Sequence, residues 1–441
     1  MVFNPRAPKA TSDLNQSYKT AAVLFWAVVY FCVTPVGTAL ADDYHYSSTL
    51  IGDRAAGMAG AYGAISDDTS GVFYNPAGTR FANGNSVSAS GNSLRSETKT
   101  YQGALGSANY QRDSNTIQPN FFGVVQHMPF GTFGFSYVIT DSTLQQQDQQ
   151  FINPTPAVSQ YTLNYNNEIN TYNIGPSLAV DVNKDLKAGA TLYYFYKKRK
   201  TINNQAQTLT SAGQPVQWDN IYFKDEENGF RPILGVIYAP EDAKYSVGLA
   251  LSKIFIFSGS QYSQKICRHT VASSGDPCYV SSDSSHQPVQ IPIFNSGTAP
   301  EYPLEARLGV AFFPSNALLI SADIDYFSAV GADAVVYQWN RQAVFNFALG
   351  AEYYFSHSFA VRTGAYSDFS NVDSQGLAIA DDKVNLYGLS LSGAWFSKYS
   401  SISFGVNYEF GSGDSNISTS GTILPLKAQI LTIFLGTSYN Y

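Results

Sequence analysis

Traced back from Tyr441, the chain alternates. Tyr441, Tyr439, Thr437, Leu435, Ile433 and Leu431 fall on one face, and Asn440, Ser438, Gly436, Phe434, Thr432 and Ile430 on the other. The first face is apolar and ends in aromatic rings. The second is small or polar except at Phe434 and Ile430. Successive side chains of a strand point to opposite sides, so this pattern predicts a strand with lipid on one side and a polar interior on the other. Ile402, Phe404, Val406, Tyr408 and Phe410 repeat it against Ser403, Gly405, Asn407 and Glu409. Phe133, Phe135, Tyr137 and Ile139 do so against Gly134, Ser136 and Thr140.

Alternating segments are predicted at 85–97, 117–128, 131–144, 166–182, 185–200, 227–240, 244–259, 301–314, 317–330, 341–356, 358–368, 383–396, 400–412 and 425–441. Their number is even, as single-chain bacterial barrels require. The connections alternate between short turns, such as 128–131, 182–185 and 240–243, and long polar stretches. The latter are 98–116, 145–165, 201–226, 260–300, 331–340, 369–382 and 413–424. Short inner turns and long outer loops are the rule for outer-membrane barrels, and they place both termini in the periplasm. The predicted fold is all-β, a 14-stranded antiparallel transmembrane barrel over residues 85–441. The aromatic terminal strand resembles the closing strand that such barrels present to their assembly machinery.

Composition agrees. Aromatic residues make up 15% of the chain and charged residues only 13%, against roughly a quarter charged in soluble domains. The net charge of -7 counts against a nucleic-acid partner. Arg6, Lys9 and Lys19 precede an apolar run at 21–33, and Thr38-Ala39-Leu40-Ala41 follows. A basic start, a short apolar core and an A-x-A site predict a cleaved secretory leader at 1–41, with a retained anchor as the alternative. Cys32 lies between Phe31 and Val33, which is no lipoprotein context. Cys267 and Cys278 bracket a polar stretch, so an exported protein is expected to close a disulfide there. Metal binding with His269 and His286 is the alternative; no metal or cofactor is expected.

Residues 42–84 lack a sustained period of 2 and are rich in Gly and Ala. A segment of small residues ahead of the first strand suits the filling of a barrel lumen, which side chains alone do not fill at this strand number. Its residues carry a resemblance. Gly52-Asp53-Arg54-Ala55-Ala56-Gly57-Met58-Ala59-Gly60-Ala61, Asp67-Asp68 and Phe73-Tyr74-Asn75-Pro76-Ala77-Gly78 resemble the hatch of the FadL-type long-chain fatty acid transporters. Ile174-Gly175-Pro176, Gly350-Ala351-Glu352-Tyr353 and Val361-Arg362-Thr363-Gly364 extend the likeness along the mature chain. The resemblance implies a hatch over 42–84 and passive uptake of hydrophobic molecules, long-chain fatty acids foremost. Capture by outer loops, rearrangement of the hatch and lateral release into the bilayer would follow one another. It implies no chemical step and no enzyme activity.

Several residues are candidates for that work. Asn75, Pro76 and Ala77 fix a turn, because Pro sets φ and Asn bonds to nearby backbone. They either couple the hatch to ligand or simply pack. Arg54 is expected to pair with lumenal acids. By alternation Glu305, Arg307, Asp323, Asp325, Glu352 and Arg362 face inward. They either brace wall and hatch or, through Arg307 or Arg362, meet a ligand carboxylate. Trp218, Tyr222 and Phe223 in 201–226, with Ile291 and Phe294 in 260–300, are candidates for a capture surface on outer loops. Lys197-Lys198-Arg199-Lys200 is placed at the outer rim, where anionic lipid head groups lie. The expected partners are a hydrophobic small molecule, outer-membrane lipid and the barrel assembly machinery, with the chain acting as a monomer. A non-transport barrel of the same fold, serving as surface anchor or secretion component, is the competing function. An ordinary porin is disfavoured by the hatch and by the lack of a ladder of lumenal basic residues.

Overall fold

Alternation at period 2 builds one antiparallel sheet. Its strands are β1 (Ser86–Leu105), β2 (Ala108–Met128), β3 (Gly131–Thr155), β4 (Val158–Asp181), β5 (Leu186–Leu209) and β6 (Gln217–Tyr238), then β7 (Tyr245–Lys253), β8 (Phe255–Arg268), β9 (Val289–Ser296) and β10 (Leu304–Ser315). They continue through β11 (Leu318–Phe327), β12 (Val344–Ser356), β13 (Phe359–Asp368), β14 (Asp382–Phe396), β15 (Ser400–Ser415) and β16 (Leu424–Asn440). The computed structural model describes residues 45–46, 49–105, 108–210, 216–268, 289–296, 300–331, 340–372, 382–416 and 423–441. The expected leader lies outside them, as does Cys278; Cys267 is disulfide-bonded.

Strand β1 pairs with β16, and β5 with β6, which closes the sheet. Strands β7 and β8 are two halves of one stave, because β6 pairs with β7 at Ile233↔Ser252 and with β8 at Phe230↔Phe255. Strands β9 and β10 form one stave in the same way, against β8 and β7. The result is a closed antiparallel barrel of fourteen staves. Its outer face exposes Phe135, Leu178, Leu192, Leu234, Leu249, Leu349, Leu391, Phe404 and Leu435. An apolar belt of that extent requires lipid rather than water around it. Among the described residues no helix is long and apolar enough to cross a membrane.

Three of the expected long loops are strand nearly throughout, and a fourth, 260–300, is strand at 260–268 and 289–296. Residues 98–105 and 108–116 continue β1 and β2, 145–155 and 158–165 continue β3 and β4, and 201–209 and 217–226 continue β5 and β6. Strands β3 and β4 reach 25 and 24 residues, where about 9–11 tilted residues cross the hydrocarbon. On β3 and β4 the outward positions of these extensions are mostly polar, as at Gln146, Asp148, Asn164 and Asn166. The apolar alternation that marks a lipid-facing strand therefore stops while the backbone ladder continues. The opposite wall is short, with β11 and β13 of 10 residues each.

The capture cluster changes accordingly. Trp218, Tyr222 and Phe223 belong to β6, whose register with β5 runs unbroken past them. Gln217, Asp219, Asp225 and Glu227 are buried, so odd positions of β6 face inward. Trp218 and Tyr222 therefore share the outer face, and Phe223 faces the lumen. The three do not form one surface. Ile291 and Phe294 sit in β9, opposite Lys265 and Ser263 of β8.

Residues 49–84 pack on the inner face of the wall as two short helices, α1 (Asp53–Gly57) and α2 (Gly71–Tyr74), and a 3-10 turn, Pro76–Phe81. Ile51, Met58, Tyr62 and Val72 form a core with Phe121, Val138, Tyr193, Ile233 and Leu319 of the strands. Room for this backbone comes from glycines paired across neighbouring strands: Gly189↔Gly235, Gly248↔Gly309 and Gly350↔Gly364. A Cβ on Gly235 would stand 2.1 Å from Asn75 Oδ1, and one on Gly248 would stand 2.1 Å from the Gly63 carbonyl oxygen.

Candidate binding site in the lumen

Two charged clusters tie the amino-terminal segment to the wall. Glu352 and Arg362 are register partners on β12 and β13. Glu352 is fully buried and accepts from Arg54 at 2.6 Å and from Arg362 at 2.7 Å. Arg54 also pairs with Asp67, and Arg362 reaches Asp53 at 3.7 Å. In the second cluster Arg307 donates to its register partner Asp325 at 2.6 and 2.9 Å. Asp323 accepts from the backbone N–H groups of Tyr62 and Gly63 at 2.9 and 2.7 Å. Glu305 pairs with Arg231 at 2.7 Å, and the Arg307 guanidinium lies 4.9 Å from the centre of the Tyr74 ring. Buried charge is costly unless paired and hydrogen-bonded. In this geometry Arg307 and Arg362 already face carboxylates.

The Asn75-Pro76-Ala77 turn rests on the glycine pair of β5 and β6. Asn75 Oδ1 accepts from the Ala77 N–H at 3.2 Å, which caps the turn, and Pro76 opens it. Asn75 Nδ2 donates to the Gly63 carbonyl at 2.8 Å and to the Val236 carbonyl at 3.2 Å. One side chain thus holds the turn, the segment and the wall. Below it, Arg80 pairs with Asp181 at 2.7 Å near the short β4–β5 turn.

Above the segment lies a second apolar cluster. Tyr101, Tyr110, Leu163, Tyr165, Val384, Leu386, Leu426, Ala428 and Ile430 form it, with Phe151 and Tyr161 packed alongside. Arg112 points into it. Its guanidinium lies 5.0, 5.5 and 3.9 Å from the ring centres of Tyr101, Tyr110 and Tyr165, and its Nε donates to Tyr110 Oη at 3.3 Å. Among the described residues no carboxylate lies within ion-pair distance of Arg112. Cation–π contact compensates part of its desolvation. The site therefore combines an apolar, aromatic wall with a guanidinium that, among the described residues, has no carboxylate within ion-pair distance. Sequence reasoning missed Arg112 because it falls within 98–116, read as loop; continued alternation with Tyr110 and Ser114 was the available signal.

The wall beside this site is irregular. Strand β2 pairs with β3 at Ser114↔Gln145 and next at Phe121↔Val138, in the same register, with the ladder interrupted between them. Pro119, which has no N–H to donate, lies in the interrupted stretch. Asn120 is a bulge opposite Ser90 and Gly91. Its side chain is buried; Nδ2 donates to the Leu50 carbonyl at 3.1 Å and Oδ1 accepts from Ser90 Oγ at 3.0 Å. Bulges of this kind re-aim side chains and end pairing.

No protein-family model and no curated protein sequence matches the chain. Solved structures do. A FadL homologue from Pseudomonas aeruginosa superposes with a TM-score of 0.61 at 13% identity, covering 90% of this chain and 99% of that one. The chain has the FadL-type barrel fold. The P. putida toluene transporter TodX matches at a TM-score of 0.62 and 14% identity, covering 88% of this chain and 98% of its own. The CymD monoaromatic hydrocarbon channel matches at 0.57 and 14%, covering 88% and 97%. At such identity the FadL-type likeness concerns the fold; ligand and mechanism have to come from this chain's own residues.

Proposed function

We propose that this chain is a bacterial outer-membrane channel for passive uptake of hydrophobic molecules, with long-chain fatty acids as its ligand class. The observation that carries the ligand class is Arg112. A guanidinium among three tyrosines and several aliphatic side chains, with no carboxylate in reach among the described residues, suits a ligand with an anionic head and an apolar tail. The hydrocarbons named for TodX and CymD carry no charge and have no use for it. Residues 42–84 act as the hatch in this reading. The clusters at Glu352 and Arg307 brace it, and Arg54 and the Asn75-Pro76-Ala77 turn hold it against the wall.

Release is proposed to be lateral, at the interrupted β2–β3 ladder. An acyl chain gains about 0.8 kcal/mol per buried CH₂ on entering lipid, so a side exit is favoured over a path through aqueous periplasm. Asn120, bonded to Leu50, joins that exit to the hatch. The chain is proposed to work as a monomer, inserted by the barrel assembly machinery.

The test is equilibrium binding of palmitate to the purified barrel and to Arg112→Gln. Loss of a charge-assisted pair costs about 1.5–3 kcal/mol, so affinity should fall roughly 10- to 150-fold while binding of a neutral alkane stays unchanged. Equal palmitate binding by both proteins would remove Arg112 as the counter-ion. Failure of the wild type to bind any apolar molecule would remove the transport reading and favour an anchor or secretion role.

A further inference from the structure

The outer face of the tall wall carries four chemical zones in order of height. On β4 and β5 the lowest is aliphatic, with Leu178, Ile174 and Leu192 each at least 40% exposed. Next comes an aromatic row: Tyr137, Tyr172 and Tyr196 stand on consecutive strands with ring centres 6.2 and 6.1 Å apart. One and two rungs above it are Lys198 and Lys200, which face outward because Lys198 pairs with Asn170 and Lys200 with Glu168 across the ladder. Higher still the outward positions are mostly amides and hydroxyls: Asn166, Asn164 and Thr162 on β4 and Gln146 and Gln150 on β3, with Asp148 and Ile202 among them.

The lysines are available. Among the described residues neither Lys198 nor Lys200 has a carboxylate within ion-pair distance, although Glu168 and Glu226 stand opposite them in register. Glu226 is taken by Lys224 at 2.9 Å, and Glu168 accepts from Asn170 Nδ2 at 3.1 Å. A groove of about 230 Å³ begins at this level, lined by Leu144, Gln146, Asn166, Glu168, Lys200 and Ile202.

We propose that this face binds a phosphorylated glycolipid of the outer leaflet, lipopolysaccharide. Acyl chains lie on the aliphatic zone and the tyrosine row sits at the interface. Lys198 and Lys200 take the phosphates as compact point charges, and the amide-rich extension hydrogen-bonds the sugars. The zone order matches the order of groups along such a lipid, and the free cations supply charge complementarity. Contact with sugars also accounts for β3 and β4 continuing far above the hydrocarbon with mostly polar outward positions. The proposal rests on the outer-membrane placement given above but not on the ligand of the lumen.

The experiment uses the full-length mature barrel, stripped of endogenous lipid in detergent and titrated with deep-rough lipopolysaccharide under native mass spectrometry. The comparison proteins are Lys198→Ser/Lys200→Ser and, on the opposite end, Lys184→Ser. A second titration uses dephosphorylated lipopolysaccharide with the unmodified protein, which needs no variant to fold. The expected result is at least tenfold weaker binding for the double variant, no change for Lys184→Ser, and equally weak binding of the dephosphorylated lipid. Undiminished binding by the double variant, or indifference to the phosphates, overturns the proposal. A barrel that binds palmitate but no lipopolysaccharide overturns it while leaving the uptake reading intact.

Discussion

Glu352→Gln is the substitution that separates the segment from the wall most cleanly. Glu352 is fully buried and bridges Arg54 at 2.6 Å to Arg362 at 2.7 Å. The amide keeps the shape but removes the charge, leaving two guanidinium groups facing each other across a neutral side chain. Removing one partner from a buried ion pair costs about 3–5 kcal/mol. Asp67 and Asp53 remain near Arg54 and Arg362, so the lower end of that range, about 3 kcal/mol, is the appropriate figure. The barrel itself is held by the antiparallel ladders that close the sheet and should stay folded. The cost falls on local opening of the segment, whose population should rise roughly 150-fold, because each 1.36 kcal/mol is a factor of ten. Hydrogen exchange of detergent-solubilised protein reads this directly. Amides of 54–65 should exchange about two orders of magnitude faster, while those of β14 and β15 keep their rates. Exchange at 54–65 within threefold of the wild type would rule out a bracing role for Glu352. It would mean that water screens the cluster and that the ion pairs contribute little to holding the segment.

Other outcomes follow from the same geometry. Gly235→Val places a side chain where Asn75 Oδ1 stands 2.1 Å from the would-be Cβ; overpacking of about 1–3 kcal/mol should lower the melting temperature of the segment's protection, whereas Gly393→Val, in ordinary contact only, should not. Asn120→Ala removes the bond to the Leu50 carbonyl and costs about 1 kcal/mol; it should raise exchange at Leu50 and Ile51 about fivefold, and unchanged rates there would dissociate the bulge from the segment. Peptide mapping without reductant should recover Cys267 joined to Cys278, and a mixture of partners would reject that pairing.

The wall was legible in the sequence because lipid imposes a strict two-sided pattern. Phe404, Tyr408, Leu435 and Tyr439 lie on the outer face, and Ser403, Asn407, Thr432 and Gly436 on the inner. The tall extensions were not legible. Above the bilayer the outer face no longer meets lipid, so the apolar alternation is lost, and a stretch such as 145–150 looks like a loop. The same blind spot hid Arg112 and joined Trp218, Tyr222 and Phe223 into one cluster. The inward direction of Glu305, Arg307, Asp323, Asp325, Glu352 and Arg362 followed from parity, but their partners did not. Parity gives a face, whereas pairing Arg54 with Glu352 requires knowing which strand the segment lies against. The glycine pairs were visible as residues; their purpose appears only when β5 is set beside β6 and the Asn75 turn is laid across them.

Transport of labelled oleate tests whether this barrel takes up fatty acid. The measurement uses cells whose own fatty acid channel has been deleted and which express either the wild-type chain or Arg112→Gln at equal outer-membrane levels. The expected result is saturable oleate uptake by the wild type and a reduction of at least tenfold in the variant at low oleate concentration. No uptake by the wild type above the empty strain would contradict it.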